Sequence, residues 1–292
     1  MKRKKSVTHY NEIKYEEITN KIIERIKGSI NVYHMNFVNN YQADKIFKKF
    51  LADANKIFLS SNAKRIRGLI PVLIAKELSY DIESNQRYGV IIELLHFCSL
   101  VHDDVIDDGD YRRGYPSLNK VFSKTHAVLI GDHFMSESIN YALQSKNNTK
   151  VVKLTTEVIK ELITGIMMEK GLKESNPCYA FYKDMAYKKT GSLFGLSFGL
   201  PFVDSDKLDL AISCGTQFGF LFQIYDDYHD RDKDEGYENI YNILSEEDIK
   251  KICRSNFDEL IGKCKKIEID PVLIGVVRYL QHYGYFSDII IK

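Results

Sequence analysis

QRYGVIIELLHFCSLVHDDVIDD, residues 86–108, reads as a helix with apolar side chains on every face (Val90, Ile91, Ile92, Leu94, Leu95, Phe97, Leu100, Val101, Val105 and Ile106) that ends in carboxylates. A helix that is apolar all round is a buried one. A second stretch, LDLAISCGTQFGFLFQIYDDYHD at 208–230, has the same character and the same acidic end. Val151 to Lys170 and Asp248 to Lys265 instead carry the one-sided pattern of surface helices. Strict period-2 alternation is scarce, and only 5 Pro occur in 292 residues. No repeat, low-complexity linker or composition shift marks a border. These features predict an all-α fold in a single domain, residues 1–292, with central helices wrapped by amphipathic ones. Residues 1–28 are expected as a peripheral N-terminal helix.

Both buried stretches end in D-D-x-x-D: Asp103-Asp104-Val105-Ile106-Asp107 and Asp226-Asp227-Tyr228-His229-Asp230. On a helix the first and fifth positions share a face, so Asp103 projects with Asp107, and Asp226 with Asp230. Like charges at that spacing cost about 0.2–0.5 kcal/mol per pair. Carboxylates at a helix C-terminus meet the negative end of the dipole, at about 0.3–1 kcal/mol each. A divalent cation offsets both penalties. All-carboxylate ligands select a hard ion, Mg²⁺ or Ca²⁺, and Mg²⁺ is commonly shared with substrate phosphates. One such motif in a polar loop reads as a solvated turn; two, each ending an apolar helix, do not. A calcium loop starting at Asp230 is rejected, because Glu235 stands where Gly is needed and Tyr241 where Glu is needed.

Cationic residues accompany the acidic ones: Lys64, Arg65 and Arg67 upstream, Arg112-Arg113-Gly114 just after the first motif, and Lys188-Lys189-Thr190 later. Arginine forks suit bidentate contact with phosphate. No P-loop pattern occurs, which speaks against a nucleotide cradle. Lys plus Arg is 41 and Asp plus Glu 40, a net charge of +1, so the basic surplus of a general nucleic-acid binder is missing. The longest apolar runs, Leu69–Ala75 and Leu193–Val203, fall short of the roughly 20 residues of a spanning helix, which speaks against an integral membrane segment. Five scattered cysteines without a C-x-x-C fit free thiols in a reducing compartment. Glu12, Glu16, Glu17 and Glu24 follow the basic N-terminus and favour a cytoplasmic protein over an organelle-targeted one. Together the residues suggest a substrate with an anionic, multi-oxygen head and an apolar body.

At these residues the sequence resembles the trans-isoprenyl diphosphate synthases. Glu93 to Asp104, continuing through Arg112-Arg113-Gly114, is similar to the family's first aspartate-rich region. Phe222 to Tyr228 is similar to the second. Lys189-Thr190-Gly191-Ser192-Leu193 is similar to its K-T-x-x-L segment, in the form closest to the geranylgeranyl and longer-chain enzymes. The resemblance implies an isoprenoid-synthase-type helical bundle around a central apolar cavity, in a homodimer. It implies that Lys64, Arg67, His96 and Arg113 hold isopentenyl diphosphate, and that Arg112, Lys189 and Gln223 contact an allylic diphosphate. Thr190 would face the developing carbocation. Asp103, Asp104, Asp107, Asp226, Asp227 and Asp230 would be the ligands of roughly two or three Mg²⁺ ions and their support. Lone His96 and Gln223 could otherwise be packing residues, and Tyr187 and Phe194 read as core.

The sequence departs from the family in places. Asn62-Ala63 stands for Gly-Gly before Lys64, and Gly68 for Pro after Arg67. Gly165-Ile166-Met167-Met168-Glu169 stands for G-Q-x-x-D, and the segment after Asp230 looks shortened, with no lysine assigned at Lys233. Small residues, Cys98 and Ser99, precede Asp103 where farnesyl-type enzymes often carry an aromatic. Each isoprene unit adds roughly 4 kcal/mol of burial, so only a steric floor stops growth; a product of about C20 or longer is expected, with Leu95, Phe134 or Tyr141 as the floor. A terpene cyclase would replace the second D-D-x-x-D. The rival reading is a catalytically weak or regulatory subunit of a heteromeric synthase.

Overall fold

The computed structural model describes Glu24, Ala54, Ile57 and residues 65–171, 178–232 and 236–281. Lys64, Asn62-Ala63, Lys233 and, apart from Glu24, the expected N-terminal helix lie outside them. The chain groups into two compact units, Met1–Val72 with Gln86–Lys146, and Leu73–Asn85 with Asn147–Lys292.

The described residues of the first unit are drawn from helix α1 (Ile66–Glu77), α2 (Ile82–Ile106), a hairpin of β1 (Tyr111–Arg112) and β2 (Tyr115–Pro116), α3 (Leu118–Val121) and α4 (Lys124–Leu143). As its apolar circumference predicts, α2 is buried: Val90, Ile91, Ile92, Leu94, Leu95 and Phe97 are all at most 2% exposed. Phe97 meets Phe134 of α4 edge to face, with ring centroids 4.8 Å apart. The two helices also meet at Gly131, where a Cβ would lie 2.2 Å from His102 Nε2. Ser123 caps α4 by accepting from the His126 N–H at 3.3 Å.

The second unit holds α5 (Asn148–Gly171), α6 (Tyr179–Ala186), a π-helical turn (Tyr187–Gly191), α7 (Ser192–Gly199), a 3₁₀ turn (Leu200–Phe202), α8 (Leu208–Asp230), a 3₁₀ turn (Ile240–Asn242), α9 (Glu246–Lys266) and α10 (Asp270–Gln281). The centre of the unit is α7 against α8. Their backbones touch: a Cβ on Gly215 would fall 2.2 Å from the Phe194 carbonyl oxygen, and one on Gly219 2.6 Å from Gly191 Cα. Around that contact Phe194 packs on Phe218 and Phe222 at 5.0 and 5.3 Å. On α9 the buried residues are Ile249, Cys253, Phe257, Leu260 and Cys264, the single stripe expected of a surface helix.

The fold is all-α, as expected, and α8 has the bounds read from the sequence. The other central helix differs: it starts at Ile82 and stops at Ile106, so Asp107 and Asp108 lie just beyond it. The hairpin was not anticipated, because two-residue strands carry no alternation to read. Among the described residues no helix is long and apolar enough to cross a membrane.

Candidate active site

The first acidic motif lies where α2 ends. The Asp107 N–H donates to the Asp103 carbonyl at 2.8 Å, a last helical turn that stacks the two residues on one face. Asp108 follows with φ 54°, and the Gly109 N–H returns to the Asp104 carbonyl at 2.9 Å, the closure of a Schellman cap. Asn119 Nδ2 seals the same carbonyl at 3.2 Å. Asp103 is half-buried and Asp107 exposed, whereas Asp104 is 4% exposed and turned inward. There it accepts from Arg112 Nε at 3.0 Å.

Arg112-Arg113-Gly114 owes its shape to the hairpin. Tyr111 pairs with Pro116 and Arg112 with Tyr115, which leaves Arg113-Gly114 as a two-residue loop. Both loop residues have positive φ, 53° and 82°, the backbone of a type I′ turn. Gly takes that region freely, while Arg113 pays about 1–2 kcal/mol there. The turn sends Arg112 back to Asp104 and brings Arg113 to the cluster around His96.

That cluster is strongly cationic. Arg67 Nη1 lies 3.4 Å from His96 Nε2. Burial, then the charges of Arg67, Arg113, Arg65 and Arg112, hold the His96 imidazole well below its ordinary pKa, so it is neutral and can accept from Arg67. Burial pulls Arg113 down to about 10; Arg65, Arg112 and Arg67 push the same way and Glu93 opposes. Glu93, which sequence reading had used only as part of a motif, is the buried counter-ion. Its Oε2 accepts from Arg65 at 2.9 Å, with the two side chains 0% and 1% exposed, and its Oε1 accepts from the Gly68 N–H at 2.9 Å. A Cβ on Gly68 would lie 2.5 Å from Glu93 Cγ.

In the second unit the π turn presents Lys189 and Thr190. The turn is pressed against α5: a Cβ on Gly165 would come 2.3 Å from the Lys189 nitrogen. One helical turn on, Glu169 accepts from Lys189 Nζ at 2.6 Å. Thr190 Oγ1 donates to Gln223 Oε1, and Gln223 Nε2 donates to Asp227 Oδ1 at 2.8 Å. The other oxygen of Asp227 accepts from Tyr182 Oη at 2.7 Å and the Ile240 N–H at 2.9 Å. Burial pushes the Asp227 carboxyl up to about 6, against the pull of the Ile240, Tyr182 and Gln223 hydrogen bonds and the Lys189 charge. Asp226 and Asp230 are half-buried on α8, one turn apart.

Comparison with known proteins decides the family. The polyprenyl synthetase sequence profile matches residues 48–240. The chain belongs to the polyprenyl synthetase family. It is 34% identical over 194 residues to the human all trans-polyprenyl-diphosphate synthase PDSS1, covering 62% of this chain and 46% of that one. It is 34% identical over 188 residues to a prenyl transferase of Synechocystis, covering 62% and 58%. It thus spans about half the length of the named relatives it matches. The fold matches the Thermotoga maritima geranyltranstransferase with a TM-score of 0.77 at 22% identity, over 92% of this chain and 98% of that one. A Helicobacter pylori geranyltransferase, complexed with magnesium and isoprenyl diphosphate, matches with 0.70 at 20% identity, over 91% and 97%.

Within the chain, the first unit gathers Arg67, His96, Arg112 and Arg113, and the second gathers Lys189, Thr190, Gln223 and Asp227. Among the described residues no three His, Cys, Asp or Glu side chains form a metal cage. Mg²⁺ does not need one, since one or two carboxylates serve it alongside waters and phosphate oxygens. The donor set at Asp103 with Asp107, and at Asp226 with Asp230, fits that habit. Asp104 instead gives Oδ1 to Arg112, and both carboxylate oxygens of Asp227 accept hydrogen bonds within the protein. Sequence reasoning missed Glu93, Tyr182, Asn119 and Asn239, whose Nδ2 donates to the Asp227 carbonyl at 2.8 Å. Their partners lie 12 to 45 residues away, or are backbone groups, and no local spacing signals such bonds. Phe194 packs in the core, while Tyr187 is half-buried and lies edge-on to Phe220 at 5.2 Å.

Proposed function

We propose that this member of the polyprenyl synthetase family is a trans-prenyltransferase, joining isopentenyl diphosphate to an allylic prenyl diphosphate to make an all-trans product of geranylgeranyl length or longer. The observation that carries the reading is the second unit's constellation: Thr190 is linked by hydrogen bonds through Gln223 to Asp227 of the second D-D-x-x-D, and Lys189, the residue before Thr190, is paired with Glu169. Lys189 and Arg112 bind the allylic diphosphate and Gln223 orients it. Arg67, His96 and Arg113, with Lys64, bind isopentenyl diphosphate. Asp103, Asp107, Asp226 and Asp230 would hold Mg²⁺, with Asp104 and Asp227 supporting them. Bound there, Mg²⁺ supplies positive charge against the diphosphate as it departs. The allylic C–O bond breaks, the alkene of isopentenyl diphosphate forms the new C–C bond, and a proton leaves to the released diphosphate. Thr190 lends an oxygen lone pair to the cation formed between, where preorganised dipoles act most strongly.

Small Cys98 and Ser99 before Asp103 support the longer product. Exposed Leu129 and Leu143 on α4, and Ile163 and Met167 on α5, support a homodimer that covers them. Purified protein given Mg²⁺, farnesyl diphosphate and labelled isopentenyl diphosphate is expected to release diphosphate and a longer prenyl product on reversed-phase chromatography. Turnover that appears only with a second, different chain would replace this reading with that of a regulatory subunit.

A further inference from the structure

We propose that Tyr182 is a positioning residue for prenyl transfer, acting through Asp227 and Gln223 to fix which way the Thr190 hydroxyl points. The inference rests on the prenyltransferase reading and adds a residue to it. Tyr182 lies on α6 and is fully buried. Its hydroxyl starts a chain of hydrogen bonds: Tyr182 Oη to Asp227 Oδ2 at 2.7 Å, Gln223 Nε2 to Asp227 Oδ1 at 2.8 Å, and Thr190 Oγ1 to Gln223 Oε1.

The chain has a direction. A backbone N–H can only donate, so Asp227 Oδ2 accepts from Ile240, and it accepts from Tyr182 beside it. That leaves Oδ1 as the acceptor facing α8. The Gln223 amide must turn its NH₂ to Oδ1 and its oxygen to Thr190. Thr190 must then spend its proton on Gln223, and its hydroxyl offers lone pairs alone to whatever lies in front of it. An electron-poor allylic carbon is served by that arrangement, and an O–H pointed at it is not. Thr190 is itself 7% exposed, so bulk water does not restore the orientation once it is lost. Tyr182 touches neither Gln223 nor Thr190 in this chain of contacts; its effect runs through the Asp227 carboxylate.

Tyr182→Phe in the full chain removes one oxygen and keeps the ring packed against Phe220. The expected result is a fall in kcat of about tenfold, the scale of one net hydrogen bond, with KM for isopentenyl diphosphate unchanged. A second readout does not need turnover. With glutamine labelled by ¹⁵N, the side-chain amide signal of Gln223 should move in Tyr182→Phe while that of Gln217, held by Asn256, stays in place. An unmoved Gln223 signal overturns the proposal, as does unchanged kcat in a protein whose wild type is active. Absence of prenyl transfer in the wild type would defeat the functional reading, and the amide signal would then judge the positioning chain by itself. Should the Phe variant not fold, 3-fluorotyrosine at position 182 retains the shape with a more acidic phenol. It should shift the Gln223 signal in the opposite sense, and no shift would overturn the proposal.

Discussion

Glu93→Gln is the substitution that tests the cationic cluster most directly. Glu93 and Arg65 form an ion pair at 2.9 Å with side chains 1% and 0% exposed. Around it the first unit sets Arg65, Arg67, Arg112 and Arg113 against Glu93 and Asp104. The substitution keeps the side-chain shape and an acceptor for the Gly68 N–H. It removes the charge, leaving four cations against one carboxylate. Breaking a buried pair from one side costs about 3–5 kcal/mol. At about 2–4 °C per kcal/mol for a chain of this order of size, the melting temperature should fall by about 6–20 °C. Calorimetry with and without inorganic diphosphate then separates packing from charge. A ligand adds stability as RT ln(1 + [L]/Kd), and the anion meets a site with one negative charge fewer. Diphosphate should therefore raise the melting temperature of Glu93→Gln more than that of the wild type. The paired change Arg65→Met with Glu93→Gln should recover much of the loss, since it leaves no charge stranded and keeps the acceptor for the Gly68 N–H. A loss below about 1 kcal/mol, or a smaller diphosphate shift in the variant than in the wild type, would refute the account of this cluster.

Three other outcomes follow from the same geometry. Gly165→Ala puts a methyl against the Lys189 backbone, so it should cost about 1–3 kcal/mol in urea unfolding and raise KM for the allylic substrate. His96 is held below its ordinary value, so the folded protein binds fewer protons than the unfolded chain at mildly acid pH. Its stability is complete above about 6.5 and is lost as pH falls through that value, by up to about 1.4 kcal/mol per unit; His96→Gln should flatten that part of an unfolding series from pH 7 to 5. Ser99→Phe should shorten the product, read by chromatography, and an unchanged length distribution would count against the steric floor.

Much of this was legible in the sequence, and the boundary of legibility has a physical cause. Periodicity reports burial, so α2, α8 and the amphipathic α5 and α9 could be read from the order of apolar residues. Helix pitch fixes neighbours four residues apart, so the pairing of Asp103 with Asp107 followed from spacing. The π turn at 187–191 was hidden, because its extra residue is held by the backbones of α5 and α8 against Gly165 and Gly219, and propensity does not report such contacts. The hairpin was hidden for a related reason: its loop is Arg-Gly where Asn-Gly is the usual signal. Glu93 sat in an apolar run, and its partners Arg65 and Gly68 come from another helix start.

The two acidic motifs share a division of labour that explains the doubled aspartate. On a helix, residue i+4 returns to the face of residue i, while i+1 is turned about 100° away. In both motifs that turn points the second aspartate into the protein. Asp104 holds Arg112, eight residues on, and Asp227 holds the Ile240 N–H, thirteen residues on. An Asn side chain closes each helix end in addition, Asn119 on the Asp104 carbonyl and Asn239 on that of Asp227. The inner carboxylate thus draws the following segment back over the helix end, and its donors offset the cost of a negative charge at that pole. The outer pair is the one assigned to Mg²⁺ in the proposed function. The two roles should come apart on substitution. Asp104→Asn weakens a charge-assisted bond in a buried place, so it should lower the melting temperature before it lowers anything else. Asp103→Asn removes charge from a half-buried face already crowded by Asp107, so it should leave the melting temperature near that of the wild type, or raise it, and abolish most turnover. If both variants melted alike and lost turnover alike, the doublet would be one functional unit and the division would be wrong.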